Sequence, residues 1–288
     1  MIPEGAGLDA VSAVMFVLVL GWVAWSARMI LREKYLRLPE LSVPDEQRIE
    51  PYVFIFSGVS VWFAGMFVGA VFYLIFYGPD ETADTLGSTA LLGVASQVGS
   101  VLAALGIFLA LPPLAARATG IGAFFEKPAL RMGAFAFAIV CPIALLAAFG
   151  AQQAAHLVSE LLGSEPPQRL AHGTLRQIAD PEMMRHVGWW LTILVVTIGA
   201  PITEEIVFRG FLQTGLARAT RSHGLGILVS TVLFVLVHVG IADWQAMLPL
   251  AALSLGMGYA YARTGTIWVP IVVHALFNLL NIVMAMGA

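Results

Sequence analysis

From Pro51 to Gly78 the chain runs without a single Asp, Glu, Lys or Arg. A bilayer core of about 30 Å is crossed by about 20 apolar residues in helical form. In lipid a segment must satisfy its own backbone N–H and C=O groups, and a helix does so. Eight stretches meet or approach that requirement, at roughly 9–29, 52–78, 86–112, 131–160, 187–218, 225–241, 245–263 and 266–287. They predict an all-α, polytopic transmembrane helix bundle of about eight spans. The fourth and fifth are longer than a crossing needs, so they tilt, bend or project. Pro201 lies inside the fifth and is expected to kink or restart it. The part "RMILREKYLRL" (28–38) reads as a helix extension along the membrane surface.

Composition agrees. Only 11% of residues are charged and 59% are hydrophobic, against roughly 25% charged in soluble domains, so a water-facing surface cannot be covered. The net charge of −3 points to no nucleic-acid partner. The single Cys141 excludes an internal disulfide and a cysteine-based metal cluster. The start "MIPEGAGLDA" has no basic region, so no cleaved signal peptide is expected. No soluble domain or internal repeat is visible, and residues 1–288 read as one membrane domain.

The basic residues orient the spans. The odd-numbered connections hold Arg28, Arg32, Lys34, Arg37, Arg48, Arg117, Lys127, Arg131, Arg218, Arg221 and Arg263. The even ones hold Asp80, Glu81, Asp84 and Asp243, with Arg169, Arg176 and Arg185 confined to the fourth. Both termini are therefore expected outside and the odd connections in the cytoplasm. His172, His186 and His223 fall in connections, and His156 and Glu160 near the outer end of span four, where a solvated face accounts for them.

A few ionisable residues do not fall in connections. Span five holds Glu204, Glu205 and Arg209; span six holds His238; span eight holds His274, Asn278 and Asn281. Each charge at the bilayer centre costs about 2.5–3.5 kcal/mol on insertion scales, so these groups are expected to face one another or a wet cavity. At about 1.5 Å per residue, Glu204 and His238 each lie about 20 Å from the nearer helix ends at Arg218 and Leu225, and His274 and Asn278 about 12 and 18 Å from Thr266. Glu205 and Arg209 are four apart and form a pair on one face, read as structural. Glu204 is turned about 100° away and is read as a general base. Asn281 is read as packing or helix–helix contact, and Gly65 with Gly69 as a site of close helix approach.

In order, "EEIVFR", "FVLVH" and "HALFN" resemble the three motifs EExxxR, FxxxH and HxxxN of the CPBP intramembrane proteases, also called the Abi or CAAX-protease family. The likeness extends through "PITEEIVFRGFLQ" and "ARTGTIWVPIVVHALFN" and covers about residues 190–282, the catalytic core of that family; the first four spans carry no matching motif. The resemblance implies an intramembrane endopeptidase. It implies that Glu204 activates water together with His238, that His274 and Asn278 stabilise the oxyanion, and that Glu205 and Arg209 support them. Amide hydrolysis needs a base within reach of water and donors aimed at the developing oxyanion. Whether a divalent metal such as zinc takes part is left open; if one does, Glu204, His238 and His274 are its ligands. Cofactors are thus none obligatory or one such metal. The chain has no HExxH, GxGD or GxSG of other intramembrane proteases.

The expected partners are a peptide or protein substrate in or at the membrane, and the bilayer. The family covers trimming of prenylated CAAX proteins as well as bacteriocin-linked and peptide-signal processing, and no residue here selects among them. The Ala- and Gly-rich spans point to a prokaryotic plasma membrane. Two other readings remain, a proton-coupled transporter and a catalytically silent scaffold. A transporter of repeat architecture would divide its ionisable residues between two halves, whereas here they crowd into the second.

Overall fold

A computed structural model describes residues 10–32, 37–41, 49–78, 86–124, 128–168, 172–180 and 182–287. We number the helices α1 (Ala10–Arg32), α2 (Pro51–Phe76), α3 (Leu86–Ala110), α4 (Pro113–Ala118), α5 (Ala129–Leu162), α6 (Gly173–Ile178), α7 (Val187–Thr220), α8 (His223–Leu236), α9 (Met247–Thr264) and α10 (Trp268–Met286). Among the described residues there are no strands, only isolated bridges at His172–Ala242 and Val239–Ala242. The chain is an all-α polytopic membrane bundle.

All eight expected spans are helices, with ends within a few residues of expectation except at α8. Among the described residues five are long and apolar enough to cross a membrane: α2, α3, α5, α7 and α10. α8 has 14 residues, about 21 Å of rise, and falls short of the roughly 30 Å core. The sixth span was expected to continue through residue 241. Instead the helix stops at Leu236 and His238 lies in the turn beyond it. Gly240 has φ 88, a left-handed conformation that suits glycine, and it turns the chain toward α9. Of the surface helix expected over 28–38, residues 28–32 are helical and 37–38 are irregular, while 33–36 lie outside the described residues. Lys34, Arg48, Asp80, Glu81, Asp84, Lys127 and Arg169 of the orientation argument also lie outside them.

Pro201 does not break α7. The helix instead changes pitch around it, with π-helical turns at Val195–Gly199 and Ile206–Gln213 and one α-helical stretch, Ala200–Glu205, between them. A π turn accepts an N–H five residues on instead of four, so the ladder loosens where Pro201 offers no donor. Glu204 and Glu205 end that stretch.

Apolar burial does not drive association between spans, because lipid is as apolar as leucine; close packing does. Gly65 and Gly69 of α2 lie so near Ser100 and Ser96 of α3 that a Cβ on either would collide with a serine hydroxyl, so the expected close approach is present. On the other side, a Cβ on Gly133 of α5 would stand 2.5 Å from Val272 of α10, and one on Gly256 of α9 the same distance from Val140. Trp22 Nε1 of α1 donates to the Ala138 carbonyl of α5 (2.7 Å). Rings join the two halves of the chain: Trp62 of α2 meets Phe208 of α7 edge-on (5.6 Å), Phe208 meets Phe234 of α8 (5.2 Å), and Phe108 of α3 stacks on Phe211 (5.1 Å). Large apolar side chains such as Phe63, Phe67, Leu102 and Leu109 face outward, as lipid contact requires.

Candidate active site

Phe234 is the floor of the site. Its ring is fully buried, the Arg209 guanidinium lies over it at 4.9 Å, and the His238 and His274 rings lie at 4.7 and 6.0 Å. Arg209 of α7, His238 in the turn after α8 and His274 of α10 thus adjoin one aromatic ring.

Arg209 and Glu205 are 1% and 0% exposed at the side chain, with Nη1 donating to Oε1 at 3.0 Å. Nη2 donates to the Ser254 carbonyl (3.1 Å) and to Ser254 Oγ (2.8 Å) on α9, and Ser254 Oγ donates to Thr231 Oγ1 on α8. The guanidinium therefore ties α7 to α9 directly and to α8 through Ser254. Removing either ion of a buried pair costs about 3–5 kcal/mol, because the other is left buried and uncompensated.

Glu205 does more than hold Arg209. The same Oε1 receives His274 Nδ1 at 2.9 Å. A carboxylate only accepts, so Nδ1 carries the hydrogen and Nε2 is turned away from Glu205. Nε2 faces Glu204, whose Oε2 lies 4.0 Å away, 16% exposed at the side chain. That distance is too long for a direct hydrogen bond and suits one bridging water. Oε2 is buried and has no hydrogen-bond partner among the described residues.

His238 Nδ1 lies 2.7 Å from the Phe234 carbonyl. The carbonyl only accepts, so Nδ1 donates and Nε2 is left for other partners. The ring thereby takes an orphan carbonyl at the α8 terminus, which explains how a residue beyond the helix keeps a fixed place. The Glu204 carboxylate approaches His274 rather than His238. Asn278 Nδ2 donates to the Val196 carbonyl in the first π turn (2.8 Å), leaving one amide hydrogen. Asn281 Nδ2 bonds back to the Phe277 carbonyl (2.8 Å) within α10.

No three His, Cys, Asp or Glu side chains among the described residues are grouped to hold a metal ion. Glu204, His238 and His274 are thus not grouped as a ligand set among the described residues; His274 donates from Nδ1 to Glu205 with Nε2 turned to Glu204, and His238 adjoins the same Phe234 ring as His274.

Two contributors escape sequence reading. Gln97 of α3 accepts a hydrogen bond from Thr203 Oγ1, next to Glu204, and its side chain covers Gly199. His172, expected in a solvated connection, is half-buried. Burial first, and then the charges of His238 and Arg176, hold its pKa down to about 4. It caps α6 by accepting from Thr174 N (3.3 Å). Arg176 of α6 pairs with Asp243 in the turn after His238 (3.0 Å). Trp189 Nε1 donates to the Ile178 carbonyl (2.9 Å), and Ile178 clusters with Trp189 and Ile282 of α10. The fourth connection is thus a strap across the His238 end of the site.

Residues 186–280 match the family described as type II CAAX prenyl endopeptidase Rce1-like. The chain is 38% identical over 94 residues to the Bacillus subtilis (strain 168) protein named "Putative membrane peptidase YdiL", covering 33% of this chain and 37% of that protein. It is 36% identical over 88 residues to the Escherichia coli protein named "Uncharacterized 24.3 kDa protein", covering 29% of this chain and 39% of the other. The chain spans well under half the length of these relatives. No solved structure matches it.

Proposed function

We propose that this integral membrane protein, whose residues 186–280 match the Rce1-like CAAX prenyl endopeptidase family, is an intramembrane endopeptidase. It hydrolyses peptide bonds of membrane-associated or lipidated peptides with a glutamate-activated water. One observation carries the reading: a buried carboxylate oxygen of Glu204 without a hydrogen-bond partner among the described residues, 4.0 Å from His274 Nε2. A buried carboxylate with no role would cost more than an apolar side chain in its place.

In this reading a water bound at Glu204 Oε2 gives its proton to the carboxylate as its oxygen attacks the peptide carbonyl carbon. His238, whose Nε2 is left free by the Phe234 carbonyl, is assigned to the same water. In this reading the tetrahedral oxyanion is held by the remaining Asn278 amide hydrogen together with His274. The C–N bond then breaks, and the proton on Glu204 passes to the departing amine. Glu205 keeps the His274 ring from rotating. The proposed orientation places both termini outside, in a prokaryotic plasma membrane.

The test is cleavage by wild-type protein reconstituted in liposomes. A farnesylated peptide with a CAAX terminus, its unmodified counterpart and a transmembrane peptide are offered, and products are identified by mass spectrometry. Cleavage of the lipidated or transmembrane peptide within its apolar region is expected. No cleavage of any of them, with proton flux across the same liposomes, would replace this reading by transport.

A further inference from the structure

At the opposite end of α7 from the strap lies a second polar cavity, of about 140 Å³. Gln213, Thr214 and Arg218 of α7 line it with His223 of α8, Tyr261 of α9 and Gly265 at the α9 end. Thr214 and Tyr261 are spoken for: their hydroxyls lie 2.7 Å apart, and Tyr261 also donates to the Thr119 carbonyl (3.1 Å). Two atoms are not. Arg218 Nη1 and Gln213 Oε1 are buried without a hydrogen-bond partner among the described residues. Gln213 is 2% exposed, and its orientation is set by Nε2 donating to the Gly258 carbonyl (2.8 Å). Its oxygen therefore requires a donor from elsewhere. The Arg218 guanidinium lies over the buried Phe54 ring at 4.8 Å, which holds it in place without supplying an acceptor.

The unmet needs are complementary: an anionic acceptor for Arg218 and a donor for Gln213. Five residues separate them, a rise of about 7.5 Å. A phosphate esterified to a short hydroxyl- or amine-bearing group spans such a gap. Position favours a lipid as the source. α7 has 34 residues, about 51 Å of rise, which exceeds the roughly 30 Å apolar core and carries Arg218 into the headgroup layer. From Ile206 to Ala288 the only acidic residue is Asp243, which belongs to the other end of the bundle, so no carboxylate of this stretch competes for the guanidinium. Beside the cavity, α8 exposes Leu225 and Leu228, an apolar surface on which acyl chains can lie. Arginine suits phosphate through directed N–H donors.

We propose that this cavity binds the headgroup of a glycerophospholipid, its phosphate on Arg218 and its headgroup donor on Gln213. The site residues Gln213 and Arg218 lie nine and fourteen positions along α7 from Glu204, and the site is independent of the hydrolytic reading.

Native mass spectrometry of delipidated protein tests it, with phosphatidylglycerol, phosphatidylcholine or inorganic phosphate added back. Phosphatidylcholine presents the phosphate without a donor. One phosphatidylglycerol per chain is expected on wild type, retained at least tenfold more than phosphatidylcholine. Arg218→Gln is expected to lose at least tenfold of that retention and Arg218→Lys less, with millimolar phosphate failing to displace the lipid. Equal retention of the two lipids by wild type overturns the proposal even if Arg218→Gln does not fold. So does equal phosphatidylglycerol retention by wild type and Arg218→Gln. Displacement by free phosphate would assign the cavity to a soluble anion instead.

Discussion

Glu205 accepts two hydrogen bonds on one oxygen, from Arg209 and His274, and so serves both the frame and the site. The i,i+4 spacing made the first bond legible in the sequence. The second was not legible, because it joins positions 69 apart whose relative rotation depends on the π turns of α7. Glu205→Gln retains the shape and removes the charge. It is expected to lower the thermal midpoint, since Arg209 stays buried without its counter-ion. In the protein that stays folded, turnover is expected to fall, because the glutamine amide oxygen is a weaker acceptor for His274 Nδ1 than the carboxylate. Folded protein with wild-type turnover would leave Glu205 as the partner of Arg209 alone. His172 and Gln97 were illegible for another reason. A histidine after "QRLA" and a glutamine in "VASQVG" carry no periodic or spacing signal, and each owes its place to an element distant in sequence.

At the scale of elements, the apolar runs located the helices well because length and the absence of charge are sufficient for a span. They failed at α8, where the run continues through Val239 although the helix has ended. Hydropathy does not register that His238 bonds its own chain at the Phe234 carbonyl, or that Gly240 turns it. The strap over 172–186 makes a pH-dependent prediction. His172 binds a proton near pH 6.5 when free and only near 4 when docked. The released strap therefore binds more protons between those values, and docking weakens as pH falls through that window while remaining complete above about 6.5. Amide protection in Thr174–Ala179, corrected for intrinsic exchange, should be flat above pH 6.5. Below that it should fall by up to about tenfold per pH unit. Wild-type protection that stays level from pH 6.5 to 4.5 would show that His172 does not hold the strap.

For the whole molecule, the class was plain from charge content alone, since 11% charged residues cannot clothe a soluble surface. The first half carries no motif, yet it completes the site through Gln97 on Thr203 and through Trp62 and Phe108 on the α7 rings. The orientation proposed from the basic residues can be read by labelling. Cys141 is the single cysteine and is buried, so a Cys141→Ala background accepts one reporter at a time. A cysteine replacing exposed Ser164 is expected to react with an impermeant maleimide in intact cells, and one replacing exposed Arg221 only after permeabilisation. The reverse pattern would invert the bundle.

The most direct measurement concerns Glu204. The carboxylate that lies beside His274 Nε2 without its own hydrogen-bond partner among the described residues is the proposed water-activating base, and Glu204→Gln keeps its size while removing its basicity. Cleavage of a reconstituted membrane peptide by this variant, measured beside its thermal midpoint, is expected to fall at least about 10²-fold with folding retained. Wild-type cleavage by folded Glu204→Gln protein would contradict the account at its centre.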